Sequence, residues 1–283
     1  MNLKRGDRVR HPRCPDWGVG EVLEDSNGAT AKVFFVGGDE KTISLKHVKL
    51  MKLEGDEAAD PRLDNFHRPK GKYLALPRAI SMFEELYPGG FYGGRFDDEE
   101  RRYKIQAHQR TLELLSEEEL RRLNGEKQFD EVVRRAMQVM NATNLVFPNE
   151  KMAFRDGLVP PLAREQFAVQ LLNVLYGTDD LKSRFEAYSA FLEEIQAGKW
   201  TIASYFLFFR FPEEHMFIKP TVTQLAADLS AFQINYRPNL NWATYASVLQ
   251  FAKTLKNELV ERDLRPRDMI DVQSFMWAIA PHG

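Results

Sequence analysis

Five short strand signals crowd into the first fifty-three residues, and nothing else in the sequence constrains the fold as tightly. They are Asp7–His11, Gly18–Glu24, Thr30–Phe35, Lys41–Ser44 and His47–Leu50. Turn residues separate them: Pro12 and Pro15, then Ser26-Asn27-Gly28, then Gly37-Gly38-Asp39. Asn27-Gly28 is a hairpin signal, because both residue types tolerate positive φ. Alternation along the third signal puts Ala31, Val33 and Phe35 on one face. Strands this short bury their apolar faces only by curling into a small barrel.

From Tyr73 onward the periodicity is helical. Pro77 opens a helix that ends at Pro88-Gly89-Gly90, and Phe91-Tyr92-Gly93-Gly94-Arg95-Phe96 reads as a glycine-rich loop. Asp97-Asp98-Glu99-Glu100 then places acids in a first turn, where the positive end of the helix dipole favours them. Ser116 with Glu119 forms a capping box for 117–124. Further helices are expected at 129–142, 149–157, 161–176, 179–197 and 201–210. Another is capped by Thr221, Asn241 caps 242–261, and Pro266 begins the last, 266–280. Residues 54–72 carry many charges, two prolines and few large apolar groups, which is a linker composition. The expected layout is multidomain: a small all-β barrel over 1–53, a linker over 54–72 and a larger all-α domain over 73–283.

Charge is uneven between these parts. Residues 1–53 hold ten Lys/Arg against seven Asp/Glu, a net of +3, which leaves −5 on the remainder of a chain whose total is −2. A modestly basic module on an acidic body suits an acidic partner for the module alone, and is far from a basic whole-chain nucleic-acid binder. A lone Cys14 cannot make an internal disulfide, so a reducing, cytoplasmic setting is expected. No stretch approaches the roughly 20 apolar residues of a membrane helix, and no membrane partner is expected.

The barrel segment follows a recognisable pattern. Gly6-Asp7-Arg8-Val9-Arg10-His11-Pro12, Trp17-Gly18-Val19-Gly20-Glu21-Val22 and Ala31-Lys32-Val33-Phe34-Phe35 resemble the SH3/Tudor-like domain at the C-terminus of UvrD/PcrA-type helicases. More loosely, they resemble the RNA polymerase-interacting domains of CarD and of transcription-repair coupling factors. The resemblance implies docking on RNA polymerase or another nucleic-acid machine, and it places Val9, His11, Trp17, Gly18, Gly20 and Val22 in the motif. This chain departs from the pattern by inserting Arg13-Cys14-Pro15-Asp16 before the aromatic, which lengthens the first loop. The helical part resembles uncharacterised bacterial proteins that pair this barrel with such a body, which implies no activity.

The partner-binding candidates are therefore Arg8, Arg10, His11, Trp17, Gly18 and Gly20. Trp17 either caps the barrel end or anchors a partner. A second candidate is a basic pocket edged with aromatics near the C-terminus, built from Arg210, His215, Lys219, Tyr236, Arg237, Asp268 and Asp271. It would suit a nucleotide, a phosphate or single-stranded nucleic acid. The opposing reading is that these aromatics are core and the Arg–Asp neighbours are structural ion pairs. Catalytic templates fail: there is no GxxxxGK[ST] loop, no HExxH, no Cys/His quartet and no GxSxG elbow. No catalytic residue, metal or cofactor is assigned. A non-enzymatic binding protein is expected, with DNA or RNA as a second partner; the alternative is an enzyme acting on nucleic acid or nucleotide, recruited by its barrel.

Overall fold

A computed structural model describes residues 2–66 and 73–280. An antiparallel five-stranded sheet comes first and helices follow, so the layout is all-β and then all-α. The strands are β1 (Arg8–Arg10), β2 (Val19–Val22), β3 (Thr30–Phe35), β4 (Asp39–Ser44) and β5 (Met51–Leu53), in the order β4-β3-β2-β1-β5. Their inner faces bury Leu3, Val9, Val22, Ala31, Val33, Phe35, Ile43 and Leu50, with Trp17, Leu45 and Val48 packed against them. The alternation in β3 is the expected one.

Three details of the barrel differ from the sequence expectation. Asn27 and Gly28 do not form a tight two-residue turn. Gly28 alone has positive φ (+80°), while Asn27 Oδ1 accepts from the Ala29 and Thr30 backbone N–H groups and closes a longer connection. The fifth strand lies at 51–53 rather than 47–50, because the His47 and Val48 N–H groups both return to the Ser44 carbonyl and spend that stretch on a turn. A third detail was not anticipated: Gly20 makes room for its neighbours, since a Cβ there would stand 2.6 Å from Phe35 Cδ1 and 2.7 Å from Val33 Cγ1.

The chain divides into two compact units, the first comprising 1–85, 225–234 and 279–283, the second 86–224 and 235–278. In the first unit the outer face of β3 is covered as well as the inner one. Phe34 sits 4.5 Å from Phe66 and 4.8 Å from Tyr73, and joins a buried cluster with Val19, Val36, Leu53, Leu63 and Ala231. Arg62 Nη1 and the Tyr73 hydroxyl both donate to the Val36 carbonyl, at 2.9 and 2.8 Å. Within 54–72, the described part forms a 3-10 turn over Gly55–Ala58 and a helical turn over Pro61–Asp64. Residues 67–72 lie outside the described ones. The few large apolar groups of that stretch, Leu63 and Phe66, are the ones that reach the barrel. Phe66 also pairs by a backbone bridge with Phe232, and the Leu74 N–H bonds the Leu229 carbonyl.

The second unit is helical. Gly94–Phe96, a π turn at Asp97–Arg101 and Arg102–Leu114 run on as one rod, so the acids at 97–100 lie inside a helix rather than at its start. The helices Glu117–Gly125, Phe129–Met140, Pro148–Gly157, Pro161–Tyr176 and Leu181–Glu194 follow. Ser116 accepts from the Glu119 N–H as its cap, but the Glu119 carboxylate pairs with Arg122 and Arg135 instead of returning to the Ser116 N–H, so only half of the expected box forms. Ser204 divides the expected 201–210 helix into Trp200–Ala203 and Tyr205–Arg210. Its hydroxyl donates to the Trp200 carbonyl and accepts from the Ile218 N–H. Pro220, not Thr221, begins the helix Pro220–Leu229. Asn241 caps Trp242–Glu261 through a 2.8 Å bond from the Thr244 N–H. The last helix begins at Met269, because Asp268 takes the cap position and accepts from the Ile270 and Asp271 N–H groups. Among the described residues no helix is long and apolar enough to cross a membrane.

Candidate functional site

At one end of the barrel the inserted loop turns through Pro15–Trp17 and lays the indole against the barrel core. Trp17 lies 4.9 Å from His11 and 5.2 Å from Phe35. Gly38 lies beneath it, where a Cβ would fall 2.6 Å from the indole Cγ, so only glycine lets ring and backbone approach. His11 is buried, and its Nδ1 accepts from the Arg13 N–H at 3.2 Å. Lys41 Nζ sits 5.8 Å from the Trp17 ring centroid. The indole is thus held on several sides and remains half-exposed.

Of the barrel candidates, the structure brings His11 and Trp17 together and places Gly18 (φ +66°) at the exit of their loop. Arg8 points elsewhere, paired with Glu21 at 3.2 Å and Asp64 at 3.3 Å. Arg10 is exposed on the outer face of β1. Lys32 pairs with Glu40 and Lys52 with Asp7. Arg10, Arg13, Lys41, Lys46 and Lys49 have no acidic partner among the described residues. Sequence reasoning missed Lys41, Phe35 and Gly38 as parts of this arrangement. The glycine pair at 37–38 was the available signal, since turn chemistry and close aromatic approach both call for glycine.

The C-terminal candidates do not converge on one pocket. Arg210 Nε donates to the Tyr176 hydroxyl at 2.6 Å, and its guanidinium stacks 4.5 Å from the Phe211 ring centroid. His215 is buried, with Nδ1 3.1 Å from the Tyr245 hydroxyl. Burial first, then the charges of Arg184 and Lys253, bring its pKa down to about 4, so it is neutral at pH 7. Tyr236 and Arg237 line an open depression with Trp242, Lys182 and Glu186.

Asp268 and Asp271 are interior residues of an ionic cluster. Arg101 bridges both, Nη2 to Asp268 at 2.6 Å and Nη1 to Asp271 at 2.7 Å. Arg267 Nε adds a bond to Asp271 at 2.8 Å. Burial works against the Arg101 charge, but the Asp268 hydrogen bond and the fields of both carboxylates outweigh it and hold the guanidinium above its ordinary pKa. One helical turn on, Lys104 is 1% exposed and donates to Glu100 Oε2, Gln273 Oε1 and Ser274 Oγ at 2.7, 2.8 and 2.7 Å. Burial pulls its pKa down, against the opposing pull of Glu100. Three acids (Glu100, Asp268, Asp271) thus balance three bases (Arg101, Lys104, Arg267).

Beside Lys104 opens a cleft of about 510 Å³ between Glu100, Tyr103, Asn144, Lys219, Gln273 and Trp277. Of the C-terminal candidates only Lys219 reaches it. Tyr103 and Lys104 were missed because they are ordinary residues of a helical pattern until tertiary packing brings Gln273 to them. Among the described residues no group of three His, Cys, Asp or Glu is placed to hold a metal. Cys14 is a half-buried free thiol.

Residues 3–53 match the family model described as "Protein of unknown function (DUF3553)", which covers the barrel and stops at the end of β5. No curated protein matches the chain, and no solved structure does.

Proposed function

We propose that this chain is a non-enzymatic binding protein whose barrel docks on RNA polymerase or another nucleic-acid machine, while its helical unit engages a second partner, DNA or RNA. The observation that carries the reading is the Trp17 arrangement: a half-exposed indole fixed by His11, Phe35 and Gly38, with Lys41 nearby. An aromatic immobilised before association loses little entropy on binding, the property that makes tryptophan a frequent interface anchor. The unpaired bases of the barrel add attraction for an acidic surface. The resemblance to helicase C-terminal domains supplies the partner class.

The test is affinity recovery of RNA polymerase from lysate, with and without nuclease, using the full chain beside Trp17→Ala and Lys41→Glu. Lys41 has no internal acidic partner, so its replacement reverses charge at the face without removing a core contact. Recovery that survives nuclease and is lost in both variants supports protein docking. Recovery abolished by nuclease shifts the partner to nucleic acid, and full recovery by both folded variants refutes the reading.

A further inference from the structure

The cleft beside Lys104 has an imbalance in its hydrogen-bonding groups. Lys104 does not itself reach for a ligand, since its three N–H donors are taken by Glu100, Gln273 and Ser274. Its effect is to orient Gln273. With the amide oxygen accepting from Lys104, the Gln273 NH2 group is turned away from that bond. It has no acceptor among the described residues, in a side chain whose residue is 3% exposed and lines the cleft. The Tyr103 hydroxyl likewise has no hydrogen-bond partner among the described residues. Burial, then the nearby Glu100 charge, raises its pKa, so it remains a neutral donor at pH 7. Lys219 has no acidic partner either; its ammonium stands 4.9 Å from the Phe147 ring centroid.

The acids of the same wall are already neutralised. Glu99 pairs with Arg95 at 2.9 Å and Glu100 with Lys104 at 2.7 Å. What the cleft offers a guest is therefore an ammonium, a phenol O–H and an amide N–H2, together with the exposed Asn144 amide, which brings both a donor and an acceptor, and aromatic surface from Tyr103 and Trp277. Donors in excess, one uncompensated positive charge and flat apolar walls describe the complement of a planar ring bearing an anionic group. The volume is that of an ordinary small-molecule site.

We propose that this cleft binds a small aromatic anion, a ring carrying a carboxylate or a phosphate, with Lys219, Gln273 and Tyr103 as donors to the anionic group and Trp277 as a wall for the ring. The site lies wholly within the second unit. It does not depend on the barrel reading, and Trp17→Ala leaves it unchanged.

Calorimetric titration of the full chain with adenosine monophosphate and with 4-hydroxybenzoate distinguishes the phosphate source from the carboxylate source; adenosine and phenol serve as the uncharged counterparts. The expected result is binding of one anionic compound, at least about tenfold tighter than its counterpart. Lys219→Met is expected to weaken that binding by at least about tenfold, and Tyr103→Phe, which keeps the ring, by a few-fold. Lys219 is half-buried and unpaired, so its variant folds with a melting temperature close to the parent, which a thermal scan verifies. No binding of either anion up to about 10 mM overturns the proposal, as does equal affinity for the uncharged compounds or undiminished affinity in Lys219→Met.

Discussion

Replacing Asp271 by asparagine keeps the shape of the side chain and removes one charge from the interior of the helical unit. Asp271 is fully buried; its Oδ1 accepts from Arg101 at 2.7 Å, and its Oδ2 from the Arg267 N–H at 2.9 Å and from Nε at 2.8 Å. An asparagine oxygen still serves the Arg267 backbone N–H and Nε, but its NH2 then faces the Arg101 guanidinium and Arg267 Nη2, donor against donor. The cluster, balanced at three acids and three bases, is left with an excess positive charge. Arg267 is 30% exposed and solvent screens its share, so the loss falls mainly on Arg101, whose side chain is 10% exposed. Breaking a buried pair of this kind costs about 3–5 kcal/mol. For a unit of this size that is a fall in melting temperature of roughly 6–20 °C. Urea unfolding followed at 222 nm reads the helical unit, and coincidence with the thermal transition checks that it unfolds as one step. A loss below about 1 kcal/mol would place the cluster with ordinary surface pairs and refute the reasoning.

Other expectations follow from single contacts. His215 is held neutral, with a folded pKa of about 4 against 6.5 in the unfolded chain. Between those values the unfolded chain binds more protons, so stability falls as pH drops from 6.5 towards 4, by roughly 3 kcal/mol in all. His215→Gln is expected to flatten that part of the pH profile in denaturant titrations, and an unchanged slope counts against it. Gly20→Ala drives a methyl into Phe35 and Val33 and is expected to destabilise the first unit by about 1–3 kcal/mol, read from chemical denaturation. Asn241→Ala removes the cap of Trp242–Glu261 and is expected to cost about 1 kcal/mol, visible as faster amide exchange in the first turn of that helix.

Features encoded within a few residues were legible in the sequence. Asn241 caps the helix it was expected to cap, Ser116 likewise, and the alternation of Ala31, Val33 and Phe35 identified the inner face of the barrel. Legibility failed where the deciding contact is distant in sequence. Phe34 is as buried as Phe35, although its parity points outward, because Phe66 and Tyr73 return to cover it. The spacing of Asp268 and Asp271 places them near one another on a helix. What they meet, Arg101, lies 167 and 170 positions away in the chain. The same distance hid the cleft: Lys104 meets Gln273 across 169 positions, and neither residue type announces the other. His215 illustrates the reverse case. A loop histidine suggested chemistry, and the structure shelters it against Tyr245 instead.

The π turn at Asp97–Arg101 is the one place in this rod that can give up a residue without disturbing what lies on either side. A wide turn accommodates about one residue more than a regular α-turn, and each residue advances the helix by about 100° of azimuth. Deleting a single residue there, exposed Asp98 or Glu99, would restore regular hydrogen bonding while leaving the segments on either side at nearly the same azimuth. Phe96, fully buried before the turn, and Lys104, buried after it, would keep their facing. The same deletion in the regular helix Arg102–Leu114 has no wide turn to absorb it and would swing the buried residues on one side by about 100°. Among related chains a one-residue gap in this rod is therefore expected at 98 or 99 and not beyond 101.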